Sequence, residues 1–220
     1  MIYLNPWSLK PLTFFSMSKL LLFDFDGVVV DSLEFYEHSV NLCLEKLGVQ
    51  RLESRADFLN LFDDNFYVGI SRYGIDKKDF TRVTSQVSPQ LDLGRIKIHA
   101  EVLDMIESMR GRHLLSLISS NSNKAIRSIC EEIDTYFEHV LGYEFMFSKI
   151  DKIRHEMKRT RVSPESTYYI GDTVGDIKEA KAAGVQTIAV TWGWHSRERL
   201  TAVTPDFIVD SPQELSNLVE

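Results

Sequence analysis

The chain has 220 residues, 44% of them hydrophobic, and a formal net charge of -7 at pH 7. That length can bury a full core, as one domain with an insertion or as two small domains. The acidic balance argues against nucleic acid or an anionic membrane surface as the main partner, but leaves room for a small anionic substrate where a local cation outweighs the mild global charge.

Residues 1–16, with Pro6, Lys10 and Pro11, lack the uninterrupted apolar core of a secretory signal, and no stretch reads as a transmembrane span. Met17-Ser18-Lys19 directly precedes the first strand pattern, so residues 1–16 are expected to be a loose or spurious extension. Leu20-Leu21-Leu22-Phe23 is a short apolar run that ends in Asp24-Phe25-Asp26-Gly27. This is the pattern of a buried parallel strand that delivers two acids to its carboxyl end, where open α/β sheets place ligands. Repulsion between such acids requires a metal ion or a cationic side chain nearby.

Tyr36, Val40, Cys43 and Leu47 recur at helical spacing before Gly48, which predicts a helix over 33–47. Between Arg51 and Leu93, aromatic and aliphatic residues sit among charges with Gly69, Gly74 and Pro89 as breaks, which predicts short packed helices. The Phe and Tyr residues of this stretch read as its own core rather than a substrate cage, and Arg72, Lys77, Lys78 and Arg82 most simply as a solvated basic face, from which one could reach a substrate anion.

From Ala100 onward helices and strands alternate. Val102 to Met109 marks a helix, Leu114–Ile118 a strand ending at Ser119-Ser120-Asn121, and residues 123–133 a helix. Val140-Leu141-Gly142 is a weak strand, Ile150 to Met157 part of a helix, and Ser166–Ile170 a strand ending at Gly171-Asp172. Ile177–Ala183 reads as a helix closed by Gly184, followed by strands at Thr187–Val190 and Asp206–Val209. Such βαβ alternation implies a parallel sheet with helices on both faces and right-handed crossovers. Cys43 and Cys130 read as reduced core residues, which fits a cytoplasmic protein. Trp192 and Trp194 read as aromatics packing at a sheet edge, and His195 as exposed.

Four strand ends present polar groups: Asp24 with Asp26, Ser119 with Asn121, Lys149 in the loop before a helix, and Asp172 with Asp176. Together they contain a nucleophile, an acid/base, hydroxyl and amide donors, a cation and hard-metal ligands, which is a set suited to phosphoryl transfer. On these residues the chain resembles the haloacid dehalogenase superfamily, in its phosphoglycolate phosphatase-like branch. The motifs Asp24-Phe25-Asp26-Gly27-Val28, Ile118-Ser119-Ser120-Asn121, Lys149 and Gly171-Asp172-Thr173-Val174-Gly175-Asp176 occur in the family's order.

The resemblance implies an α/β fold, a Rossmann-like parallel sheet with a small helical cap inserted after the first strand. The core is then 17–32 with 96–220, and the cap 33–95. It implies that Asp24 attacks phosphorus to form an aspartyl-phosphate, and that Asp26 protonates the leaving alkoxide and then activates water. Ser119, with Ser120 and Asn121 beside it, would hold the phosphoryl group, and Lys149 would neutralise its oxygens. Asn121 is equally explained as a turn former. Mg²⁺ would be bound by Asp24, the Asp26 backbone carbonyl and Asp172, with Asp176 acting through water or by orienting a ligand. The family often has a Lys-Pro pair where this chain has Lys149-Ile150, with Lys152 close behind; Lys149 is preferred because it precedes the helical pattern.

The expected activity is therefore a Mg²⁺-dependent phosphatase acting on a small phosphomonoester. A phosphomutase of the β-phosphoglucomutase type shares all four elements, and a non-catalytic binding protein on the same fold is the alternative from another class. Oligomeric state and physiological substrate are not legible.

Overall fold

Residues 18–220 are described by a computed structural model, so the expectations for residues 1–16 and for a start at Met17 lie outside the described residues. The apolar run forms β1 (Leu20–Phe23), buried along its whole length. A two-residue β2 (Val30–Asp31) then leads into α1 (Leu33–Lys46), α2 (Arg55–Asn60), α3 (Phe66–Ser71) and α4 (Lys77–Val87). The chain returns through β3 (Lys97–Ile98), antiparallel to β2, so exit from the sheet and re-entry are tied by one short ladder.

The alternation that follows is α5 (Ala100–Met109), β4 (Leu114–Ile118), α6 (Asn123–Ile129), α7 (Ile133–Tyr136) and β5 (His139–Leu141). It continues with α8 (Lys149–Thr160), β6 (Thr167–Gly171), α9 (Val174–Ala183), β7 (Gln186–Val190), α10 (Arg197–Thr201), β8 (Phe207–Val209) and α11 (Pro212–Val219). Six strands form one parallel sheet in the order β5-β4-β1-β6-β7-β8. β1 therefore sits where the strand order reverses, between β4 and β6, and the crevice beyond its carboxyl end is the expected ligand position in such sheets.

Alternation along β1 sends Leu21 and Phe23 into a cluster with α5, α7 and α11, and Leu20 and Leu22 into one with Ile153 of α8 and Ala180 of α9. Both faces are covered, which explains the unbroken apolar run. Among the described residues no helix is long and apolar enough to cross a membrane, and Cys43 and Cys130 are free and buried.

Three expectations need correction. The helix read over 123–133 breaks at Cys130 (φ -132°, ψ 94°), and the chain restarts so that Cys130, Ile133 and Phe137 all bury. Trp194 does not pack at a sheet edge; it joins the apolar cluster of α1–α4, against Phe58 and Phe62. His195 is buried, not exposed: its Nδ1 accepts from Val174 N at 3.0 Å and its Nε2 donates to Leu59 O at 3.0 Å. Those two bonds fix the neutral tautomer and tie the first residue of α9 to α2 through the loop after β7. The ordinary exposure of histidine misled the sequence reading, because its partners are backbone groups far away in the chain.

The helical layer meets the core through further polar contacts. Gly175 N donates to Phe62 O at 2.8 Å, and a Cβ at Gly175 would lie 2.3 Å from Asp64 O, so only glycine permits this approach. Tyr67 Oη donates to Ser120 O at 2.9 Å, and Asn65 Nδ2 donates to the Glu179 carboxylate at 3.0 Å.

Burial pushes the His195 imidazole down to about 4. Between about pH 6.5 and 4 the unfolded chain takes up a proton that the folded chain refuses, so this residue makes stability fall as pH falls through that window. Urea unfolding of wild type and His195→Gln from pH 7 to 4 should show a steeper loss for wild type. Parallel curves for the two proteins contradict the assignment.

Candidate active site

The site lies at the carboxyl ends of β1, β4 and β6. Asp24 follows β1 and is buried; its backbone N–H donates to Ile170 O at 2.9 Å, which extends the β1–β6 ladder one residue beyond the strand. Gly27 turns with φ +79°, and a Cβ there would sit 2.0 Å from Asp172 Oδ2. A Cβ at Gly193 would lie 2.2 Å from the Asp172 Cβ. The Asp172 side chain thus lies in a cradle between two glycines, and Trp194 N donates to its Oδ2 at 2.7 Å.

Lys149 is the first residue of α8, capped by Ser148, rather than part of the preceding loop. Its Nζ donates to Asp24 Oδ2 at 2.8 Å and to Asp176 Oδ1 at 2.5 Å. Lys152 points elsewhere: its buried Nζ donates to Ser119 O at 2.5 Å, where it holds the end of β4. Burial and the Lys149 charge bring Lys152 down to about 7. For Lys149 burial acts in the same direction, but Asp176 and Asp24 prevail and hold its ammonium charged.

Asp26 Oδ1 accepts from Ser32 Oγ at 2.8 Å and its Oδ2 from Asn121 Nδ2 at 3.4 Å. Asn121 Nδ2 also meets the Tyr36 hydroxyl, and Asn121 N donates to Ser119 Oγ at 3.0 Å. Asn121 is therefore a contact of Asp26 and not only a turn former. Asp24, Asp26, Ser119, Ser120, Asn121, Lys149 and Asp176 all face one chamber, with Asp172 fully buried behind it.

Burial raises the Asp24 carboxyl to about 7, even beside Lys149, and Asp26 to about 6. Burial and the neighbouring carboxyls of Asp176 and Asp24 also raise Asp172 well above the usual carboxylate range. Asp176 goes the other way: burial opposes its charge, but Lys149 and the Thr173 donors outweigh burial and lower it. One ammonium does not balance these acids.

The residues fit a hard divalent cation. Asp24, Asp172 and Asp176 offer carboxylate oxygens within 4.8 Å of one another, and Asp172 Oδ1 is buried with no partner. Asp176 is already engaged, Oδ1 by Lys149 and by Tyr169 Oη (3.3 Å), Oδ2 by Thr173 N (3.1 Å) and Oγ1 (2.7 Å). That leaves Asp24 and Asp172 with oxygen to offer and sets Asp176 behind them as the group that holds Lys149.

Sequence reasoning missed Ser32, Tyr36, Thr173 and Glu179. Thr173 with Asp176 forms a capping box at the start of α9, a Thr-x-x-Asp signal that was present in the sequence. Glu179 lies one turn after Asp176 on the same face and accepts from Lys149 N at 3.0 Å as well as from Asn65. It links the α8 start to the helical layer.

Comparison with known proteins agrees with this architecture. A phosphoglycolate phosphatase of Synechococcus elongatus is 28% identical over 204 residues, 90% of this chain and 96% of that one. A 5'-nucleotidase of Pseudomonas aeruginosa is 26% identical over 204 residues, covering 84% of this chain and 88% of that one. A haloacid dehalogenase-like family hydrolase from Streptococcus pneumoniae superposes with a TM-score of 0.75 at 20% identity, covering 92% of this chain and 99% of that one. The sequence model described as haloacid dehalogenase-like hydrolase matches residues 21–190, and the chain belongs to that family.

Proposed function

We propose that this protein is a Mg²⁺-dependent phosphatase that hydrolyses a small-molecule phosphomonoester through an aspartyl-phosphate on Asp24. The observation that carries this reading is the Lys149 ammonium shared between buried Asp24 and Asp176, beside an Asp172 oxygen that has no partner. Such a site can neutralise a phosphoryl group while keeping a carboxylate free to attack it. The related phosphoglycolate phosphatase and 5'-nucleotidase support the same reaction class.

In this reading an Asp24 oxygen bonds to phosphorus as the ester O–P bond breaks. Asp26, positioned by Ser32 and Asn121, gives its proton to the leaving alkoxide. It then takes a proton from the water that attacks the aspartyl-phosphate, and inorganic phosphate leaves with Asp24 restored. Ser119, Ser120 and Asn121 hold phosphoryl oxygens, and Lys149 carries their charge. Mg²⁺, held by Asp24, Asp172 and the Asp26 backbone carbonyl, would supply further charge neutralisation and orientation. Residues 33–95 act as a cap over a core of 17–32 and 96–220, and exclude bulk water from the chamber.

Purified protein with Mg²⁺ should release phosphate steadily from a panel of phosphomonoesters, stop on chelation and recover on adding Mg²⁺ back. Isomerisation of a sugar phosphate without release would instead identify a mutase. Asp24→Asn should lose about a thousandfold or more in kcat, as removal of a nucleophile does. Partner binding with no turnover on any ester would favour the non-catalytic reading.

The two lysines separate cleanly. Lys149→Met should cut kcat about a hundredfold or more, since it removes the ammonium bonded to Asp24 and Asp176. Lys152→Met should lower the unfolding midpoint more than it lowers kcat, because its bond is to a strand-end carbonyl. A larger kcat loss for Lys152→Met reverses the assignment.

A further inference from the structure

The chamber that holds Asp24 and Lys149 is walled elsewhere by rings: Phe62, Phe66, Tyr67, Phe80, Tyr143 and Trp194. Phe62 and Phe66 are stacked at 5.2 Å, and Tyr67 stands edge-on to Tyr143 at 77°. Flat apolar faces of this kind receive another ring by offset or edge contact.

Charge argues against an acidic leaving group. Among the described residues Lys149 is the one cationic side chain on the chamber wall, and it is committed to Asp24 and Asp176. The carboxyls of Asp24, Asp26, Asp64, Asp176 and Glu179 face the same space. Arg72 and Lys178 pair with Asp64 from outside the wall, and the Lys77 ammonium lies over the Phe147 ring at 4.6 Å. A carboxylate on the leaving group would enter an apolar, net acidic chamber with no cation of its own, which is strongly unfavourable. Uncharged donors do remain: the Tyr36 hydroxyl accepts from Asn121 and keeps its own proton to give.

Space fits a longer alcohol. The chamber, about 90 Å³, shares Tyr36, Ser39, Thr84, Asn121 and Tyr143 with an outer groove of about 400 Å³.

We infer that the preferred substrate is the phosphomonoester of an uncharged, ring-bearing alcohol, the class that includes benzylic alcohols and nucleosides, and that phosphoesters of short hydroxy acids, whose carboxylate stays within the chamber and short of Lys124 in the outer groove, are disfavoured. For turnover this rests on the phosphatase reading. The ester O–P bond breaks as Asp24 bonds to phosphorus, the alcohol departs with the proton from Asp26, and one water then releases inorganic phosphate from Asp24.

Three esters decide the matter: benzyl phosphate, phosphoglycolate and phosphoglycolamide, the last two close in size and different in charge. With Mg²⁺, wild-type kcat/KM for benzyl phosphate should exceed that for phosphoglycolate by about tenfold or more, with the amide between them. Phosphoglycolate turned over as well as benzyl phosphate, or as well as its amide, overturns the inference. Calorimetric binding of the same esters to Asp24→Asn protein with Mg²⁺ keeps the two claims apart. If wild type hydrolyses none of them but the affinity order is benzyl, amide, acid, the phosphatase reading fails and the specificity stands. A reversed order, or no binding of benzyl phosphate, overturns the specificity. Thr81→Lys puts a cation on the chamber wall and should raise kcat/KM for phosphoglycolate relative to benzyl phosphate by about tenfold; an unchanged ratio counts against the inference.

Discussion

The buried Lys149 ammonium lets the acid cluster exist. Asp24, Asp26, Asp172 and Asp176 are gathered at the ends of β1 and β6, and Lys149 Nζ bridges two of them from the first residue of α8. Burial alone would keep such carboxyls protonated, and Asp24 and Asp172 are indeed raised. Asp176 stays ionised because Lys149 and Thr173 occupy its oxygens. The deficit of positive charge that remains is what a divalent cation would fill, next to the one Asp172 oxygen without a partner.

The backbone is arranged to bring these groups close. Gly27 and Gly193 flank Asp172, and a Cβ at Gly171 would lie 2.6 Å from the Asp176 Cβ, so side chains are absent where carboxyls must approach. α9 then carries the constraint outward. Its Glu179 accepts both from Lys149 N and from Asn65 of the helical layer, and its Gly175 N donates to the Phe62 carbonyl. The position of that layer and the placement of the ammonium are thereby coupled through one helix, with His195 as a second tie. In the proposed reaction this coupling brings chamber closure and the charged site into register.

Much of this was legible in the sequence, for identifiable reasons. The unbroken apolar run of β1 reads as a strand covered on both faces, and the acids at its end point to a charged site at the carboxyl end of the sheet. Strand ends at Ser119 and Asp172 followed from the same alternation; Lys149 and not Lys152 contacts Asp24 and Asp176, but from the first turn of α8, where the sequence pattern places only Lys152 on the helix. The two-residue ladder of β2 and β3 carries too few residues to show a period, and α6 breaks at Cys130 for a packing reason no local pattern encodes. His195, Trp194 and the aromatic set of 33–95 were read as bland for a shared reason. Their roles depend on contacts made across the helical layer, and the same rings that form its core also wall the chamber. A residue that serves as core on one side and cavity wall on the other has no distinguishing mark in a single sequence.

The most direct test of the central claim is to mix the protein with Mg²⁺ and a turned-over ester, quench in acid within milliseconds, and locate any phosphoryl adduct by peptide mass spectrometry. The account predicts a base-labile adduct on the peptide that contains Asp24, absent from Asp24→Asn protein. A phosphoryl group on another residue, or rapid phosphate release with no adduct at any quench time, would contradict it.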